Sequence, residues 1–62
     1  MRITIFKAGN PITYNLNPRS VVGVRTVNVL DSTYYHLYTT DGRAFRIDRE
    51  SYGRIVAWIG RQ

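Results

Sequence analysis

At its centre the chain reads Tyr35-His36-Leu37-Tyr38-Thr39-Thr40-Asp41-Gly42-Arg43-Ala44-Phe45-Arg46-Ile47. Asp-Gly between two runs of β-branched and aromatic residues is typical of a hairpin turn. A two-residue turn would place Leu37 opposite Arg46, an apolar side chain against a charge. A three-residue loop over 40–42, with Gly42 left-handed in a G1 bulge, avoids that mismatch. It predicts an apolar face and a polar face, formed respectively by Tyr35, Leu37, Phe45 and Ile47 and by Tyr34, His36, Tyr38 and Arg46.

Similar runs, separated by Gly, Pro, Asn and Asp, fill most of the chain before residue 48. They predict strands near residues 2–7, 11–16, 21–30, 33–40 and 43–48. The second run alternates cleanly, with Ile12, Tyr14 and Leu16 on one face. The third run changes its alternation, which predicts either a β-bulge near Arg25-Thr26 or a strand covered on both faces.

The last segment predicts a helix over residues 49–59, with Asp48 as its N-cap. Its apolar stripe is spaced at i, i+3, i+4 and i+7 and comprises Tyr52, Ile55, Val56 and Ile59. Gly53 lies inside this helix, where glycine costs roughly 1 kcal/mol against alanine, so we expect the helix to approach the sheet closely there. The predicted fold is therefore α+β and β-rich. It is a single domain over 1–62, a small antiparallel sheet or open barrel of about five strands packed by one C-terminal helix.

The composition favours an anionic partner. Nine basic and four acidic residues give a net charge of +5, and Lys7 is the only lysine. Arginine suits phosphate, carboxylate and aromatic partners, although a genome rich in arginine codons would give the same bias. The absence of cysteine excludes disulfides and thiolate zinc sites, and it fits a cytoplasmic location. The longest apolar run, 55–59, is far shorter than a bilayer span, so we expect no membrane partner.

The usual parts of an active site are missing or have structural explanations. His36 is the only imidazole, and the serines lie beside turns or at the start of the helix. The carboxylates suit turn and helix-start positions, namely Asp31, Asp41, Asp48 and Glu50. The sequence contains no glycine-rich phosphate loop and no set of metal ligands. We therefore expect no enzymatic activity, no cofactor and no metal.

Two groups of side chains are candidates for binding. On the polar face of the hairpin, aromatic rings lie beside Arg46, and such rings stack on bases or pack against proteins. On the helix, Arg54 and Trp58 are one turn apart and off the apolar stripe, which predicts a cation–π contact or an exposed interface residue. The alternatives are ordinary cross-strand pairs and a tryptophan at the edge of a thin core. The predicted binding residues are Arg25, Tyr34, His36, Tyr38, Arg43, Arg46, Arg54 and Trp58.

Three segments occur in the order seen in a known family. They are Asp31-Ser32-Thr33, the hairpin 35–47 around Asp41-Gly42, and Arg49-Glu50-Ser51 at the start of the helix. With these segments, the run from Val21 to Ile59 resembles the first half of a LytTR-type DNA-binding domain, although the family's second half is absent and the helix lacks the family's Leu-Lys-Glu-Leu pattern. The resemblance implies a β-rich sheet that contacts DNA through loops. By position, it would assign one of these contacts to Thr33, Tyr34 and Tyr35.

Three functions are expected from these observations. The first is a non-enzymatic regulator that binds DNA or RNA, with arginines on phosphates and tyrosines or Trp58 on bases, and acts as a homodimer. The second is a small modulator, of the kind that phages and mobile elements encode, that binds and inhibits an acidic host protein. The third is a structural subunit that assembles into a ring or larger particle.

Overall fold

The central hairpin turns at the predicted glycine. The structure, a computed structural model of the chain, describes residues 1–61. Gly42 has a φ of +82°, and its N–H donates to the Thr39 carbonyl at 3.1 Å. The Thr39 N–H in turn donates to the Arg43 carbonyl at 3.0 Å. A tight turn closed by a left-handed glycine is the predicted three-residue loop with a G1 bulge.

The elements of the chain form one antiparallel sheet and one helix. They are β1 (Arg2–Lys7), β2 (Asn10–Asn15), a 3₁₀ turn (Pro18–Ser20), β3 (Val21–Val29), β4 (Ser32–Thr39), β5 (Ala44–Ile47) and α1 (Arg49–Gly60). The strand order is β2-β1-β5-β4-β3, so the sheet is open and β2 and β3 are its edges. The predicted strands and helix are confirmed, with bounds that differ by at most one residue.

The two faces of the sheet differ in what covers them. Residues paired across antiparallel strands share a face, and neighbours along a strand alternate. One face packs under α1, and the buried apolar residues are Ile3, Ile5, Leu16, Leu37, Ile47 and Ile55. The other, which no helix of residues 1–61 covers, is called the open face below. It carries Arg2, Thr4, Phe6, Gly23, Arg25, Val27, Tyr34, His36, Tyr38, Ala44 and Arg46.

The register of the hairpin confirms the predicted separation of apolar from polar side chains. Tyr35 pairs with Ile47 and Leu37 pairs with Phe45 on the helix side. The bulge predicted near Arg25-Thr26, in contrast, is wrong, and so is its alternative, a strand covered on both faces, since no residue of β3 is fully buried. The register shifts at Val22 instead, and it then runs unbroken from Gly23 to Val29. The valines of β3 therefore stay divided between the two faces. The fold tolerates this division because only the helix side of the sheet is enclosed.

The helix begins as predicted but presents a different side to the sheet. Asp48 is the N-cap, and its carboxylate accepts from the Ser51 N–H at 2.9 Å. Ser51 and Ile55 are buried, whereas Val56 and Ile59 are 42% and 40% exposed. The second half of the predicted apolar stripe is therefore wrong.

Polar contacts to β1 explain the rotation of α1. The Thr4 N–H donates to Ser51 Oγ at 2.8 Å, and the Arg54 guanidinium donates to the Arg2 carbonyl. Since β5 pairs with β1 only at Ile5 and Phe6, side chains of α1 form hydrogen bonds with the backbone groups of β1 that β5 does not reach. Turning the Ser51 side towards β1 moves Val56 outwards.

Gly53 does not mark a close contact between helix and sheet. It is exposed, and a Cβ built at this position would meet nothing within 4 Å. The expected close approach is wrong because the side of α1 that carries Ser51 and Ile55, rather than Gly53, faces the sheet.

Within residues 1–61 there is no helix with the length and hydropathy that crossing a bilayer requires. The His, Asp and Glu side chains of the same residues form no group of three or more that could hold a metal ion.

Candidate nucleic-acid interface

A row of side chains crosses the open face at mid-sheet. The register pairs Arg25 with His36, His36 with Arg46, and Arg46 with Phe6. Directly opposite side chains in antiparallel strands have Cβ atoms about 4.5–5.5 Å apart. Four adjacent strands, β3, β4, β5 and β1, thus contribute one residue each to a continuous row. The row begins with the cation of Arg25 and ends with the aromatic ring of Phe6.

Two aromatic rings hold the Arg46 guanidinium in place. Its central carbon lies 4.8 Å from the centroid of the Phe6 ring and 4.6 Å from that of Tyr34. A cation over a ring face is stabilised by about 0.5–1 kcal/mol at an exposed site. The side chain of Arg46 is itself exposed, so the rings restrict the guanidinium without removing it from solvent. An arginine fixed in this way loses less entropy when it binds an anion.

The aromatic side chains of β4 form a line along the same face. Tyr34, His36 and Tyr38 are all half-buried, and the His36 and Tyr38 rings lie 6.5 Å apart with 27° between their planes. The cross-strand neighbours of Tyr38 are Gly23, which has no side chain, and Ala44, whose methyl group is too small to cover the Tyr38 ring. Rings on an uncovered sheet are suited to stacking with planar ligands such as bases.

The charge on the open face is of one sign. Arg2, Arg25 and Arg46 belong to it, and none of the strands contains an acidic residue. The four Asp and Glu side chains lie in turns or at the start of the helix, namely Asp31, Asp41, Asp48 and Glu50. A surface with cations and no carboxylates attracts polyanions and increases their association rate.

The other predicted binding residues lie elsewhere. Arg43 is at the hairpin turn, where its Nε is 3.2 Å from Asp41 Oδ2 and both side chains are well exposed. Arg54 and Trp58 are on α1, which packs on the opposite face of the sheet. The structure therefore brings together Arg25, Tyr34, His36, Tyr38 and Arg46, and it separates these from Arg43, Arg54 and Trp58.

The predicted contact of the helix pair does not form, and Trp58 fits the alternative of a tryptophan at the edge of a thin core. Both cation–π contacts found within residues 1–61 belong to Arg46, so the contact predicted between Arg54 and Trp58 does not form. The reason is the hydrogen bond that turns the Arg54 guanidinium towards the Arg2 carbonyl. Trp58 is half-buried, because it follows Ile55 by three residues and therefore lies near the buried side of α1.

The sequence predictions missed two residues of the open face, Arg2 and Phe6. The position of Phe6 carried a signal, since alternation from Ile3 and Ile5 puts an aromatic ring on the side away from the core. What makes Phe6 part of the row is the pairing of β1 with β5, which are far apart in the sequence.

The Asp41 carboxylate has a structural role in the hairpin. The Thr39 hydroxyl donates to it and, together with the adjacent Arg43, holds the pKa of Asp41 below its ordinary value of 3.8. Asp41 thus stabilises the turn in its ionised form, in agreement with its prediction as a turn residue.

The residues to which the LytTR-type resemblance assigns a DNA contact are divided between the two faces. Tyr34 is on the open face, but the Tyr35 ring packs on the helix side, 4.8 Å from the ring of Tyr52. The Thr33 hydroxyl donates to Asn28 Oδ1 at 2.9 Å. Comparison of the chain with protein-family models, with curated proteins and with solved structures found no match.

Proposed function

We propose that the protein binds single-stranded nucleic acid on the open face of its sheet. The observation that carries this proposal is the row Arg25-His36-Arg46-Phe6, in which Arg46 rests on the rings of Phe6 and Tyr34. Arginines bind phosphates, and uncovered rings stack on bases that a duplex would keep paired. This combination favours an unpaired strand over a double helix.

The two kinds of side chain have different tasks in this proposal. Arg2, Arg25 and Arg46 bind phosphates and set the dependence of affinity on salt. Tyr34, His36 and Tyr38 lie along β4, so an extended strand that follows β4 meets one ring after another. Stacking tolerates any base, and the resulting binding has little sequence preference.

Fluorescence anisotropy with labelled oligonucleotides tests the proposal. The probes are a mixed-sequence single strand of about 15 nucleotides, in DNA and RNA form, and the matching DNA duplex. We expect tighter binding to the single strands than to the duplex. If the three arginines each contact one phosphate, affinity falls about ten- to twentyfold between about 50 and 200 mM salt.

A pair of variants with the same loss of charge shows whether the open face is responsible. Arg46→Gln removes the central cation and is expected to weaken binding at least about tenfold. Arg49→Gln removes an exposed cation from the first position of α1, away from the open face, and should change affinity little. The proposal fails if no oligonucleotide binds at low salt, or if both variants lose the same affinity.

A protein partner is the second candidate function, and one observation favours it. On the helix side, α1 leaves a groove of about 430 Å³ uncovered, with Ile12, Tyr14 and Phe45 in its lining and Lys7 and Arg43 beside them. An apolar groove next to cations suits a segment that carries both apolar and acidic side chains.

Capture from a lysate after nuclease treatment separates the two functions when it is carried out with variants. A protein partner in the groove is retained by Arg46→Gln and lost from Ile12→Glu, which places a carboxylate at the groove. Binding that disappears with nuclease and with Arg46→Gln supports the nucleic-acid function instead.

A further inference from the structure

The two edges of the sheet differ in how well they are protected. β2 is short and contains Pro11, which has no N–H to offer to an incoming strand. β3 is the longest strand, and no other strand of residues 1–61 pairs with its outer side. Its seven regular residues after the bulge, Gly23–Val29, contain no proline and only one charge, Arg25. Proteins usually block such an edge with lysines, prolines or a covering segment, because it can pair with another strand.

Large apolar side chains are exposed at both ends of β3. Val22 is 69% exposed at one end, and Val29 and Leu30 are 50% and 98% exposed at the other. Leu30 also has a φ of +54°, in the left-handed region that leucine rarely adopts. The turn between β3 and β4 therefore holds a strained leucine almost entirely in water. The fold of a single copy gains nothing from this arrangement, since asparagine or glycine would form the turn with less strain.

We propose that β3 pairs antiparallel with the β3 of a second copy of this chain, around a two-fold axis at Thr26. In an antiparallel pair of identical strands, each end of one strand lies beside the opposite end of the other. Val22 of each copy then lies next to Leu30 of its partner copy, and the exposed apolar side chains of both ends are covered together. This inference does not rest on the proposed nucleic-acid binding.

Charge and alternation select the register. Because paired residues must lie on the same face, the axis passes through a residue, and the central choices are Arg25, Thr26 and Val27. An axis at Arg25 sets two arginines directly opposite each other, which is unfavourable. An axis at Val27 pairs Leu30 with Val24 and leaves Val22 beyond the apolar residues of the partner copy. With the axis at Thr26, Arg25 faces Val27 and the two threonines face each other.

Sedimentation equilibrium of the full chain tests the proposal, over protein concentrations from about 10 µM to about 1 mM, the range of weak dissociation constants. We expect a reversible equilibrium of monomer and dimer. Leu30→Asn removes the exposed leucine from both copies, and Thr26→Lys places two lysines at the axis. Each variant should raise the dissociation constant at least about tenfold, since every change occurs twice in the interface.

Matched variants at the other edge provide the controls. Ala8 has a φ of +52° in the turn between β1 and β2, so Ala8→Asn relieves the same kind of strain there. Thr13→Lys adds a charge to an exposed position of β2. Both controls should dimerise like the natural protein. A chain that stays monomeric throughout, or that dimerises equally well with Leu30→Asn and Thr26→Lys, overturns the proposal, and circular dichroism of each variant shows that it is folded.

Discussion

The backbone N–H of Thr4 donates to the hydroxyl of Ser51 at 2.8 Å, a contact that joins residues 47 positions apart in the sequence. Ser51 is 3% exposed, and its own N–H donates to Asp48. One buried serine thus links the start of α1 to β1, at the place where β5 no longer pairs with that strand.

We expect Ser51→Ala to lower the free energy of unfolding by about 1–3 kcal/mol, because the Thr4 N–H loses its partner in a partly buried place. Urea denaturation measures the change, with the slope of the transition unaltered. Ser32→Ala, at an exposed position of β4, is the control and should have little effect. A Ser51→Ala protein as stable as the Ser32→Ala protein would show that the contact contributes nothing.

The Ser51 contact also shows where prediction from sequence ends. The hairpin at Gly42 and the N-cap at Asp48 depend on residues within a few positions of each other, so local chemistry predicts both. The rotation of α1 depends on a hydrogen bond between distant backbone and side-chain groups. The apolar periodicity of the helix does not encode this hydrogen bond. A prediction from periodicity alone therefore placed Val56 and Ile59 on the wrong side of α1.

The candidate site likewise contains residues that local sequence predicts and residues that depend on long-range pairing. Tyr34, His36, Tyr38 and Arg46 were predicted on one face because a single hairpin fixes their register. Phe6 was missed because its contact with Arg46 requires the order of the strands, which long-range pairing determines. The separation of Arg43, Arg54 and Trp58 from the open face likewise needed the position of the helix.

Gly53 offers a way to stabilise α1. We expect Gly53→Ala to raise the free energy of unfolding by about 1 kcal/mol, since alanine is the better helix former and nothing lies in the way of its Cβ. In a chain of this size the melting temperature should rise by about 4–8 °C. Calorimetry or thermal circular dichroism measures it.

Gly42→Ala is the matched comparison for that prediction. A Cβ at Gly42 also meets nothing within 4 Å, but the φ there is +82°. Alanine in this left-handed conformation costs about 1–2 kcal/mol, so the same substitution should lower the melting temperature. If both variants shift stability in the same direction, backbone conformation is not the deciding factor.

The lowered pKa of Asp41 in the hairpin turn predicts how the stability of the protein responds to acid. Because the pKa of Asp41 is lowered in the folded protein, its contribution to stability is present above the ordinary value of 3.8. The contribution is lost as the pH falls through the lowered pKa. Urea midpoints measured from neutral pH downwards should therefore fall more for the natural protein than for Asp41→Asn below about pH 4. Titration of the Asp41 carboxyl by NMR should give a pKa below 3.8, and a value at or above it would contradict the hydrogen bond from Thr39.

The Phe6 ring and the Arg46 charge should affect nucleic-acid binding in separable ways. Arg46→Gln removes a phosphate contact, so the slope of log affinity against log salt should become shallower by about 0.7 for a single strand. Phe6→Leu keeps every charge and removes one of the two rings that hold the guanidinium. It should weaken binding about two- to fivefold, the equivalent of one exposed cation–π contact, and leave the salt slope unchanged. Titrations at several salt concentrations measure both quantities. A slope that changes equally in the two variants would mean that Phe6 acts through the structure of the sheet rather than by positioning Arg46.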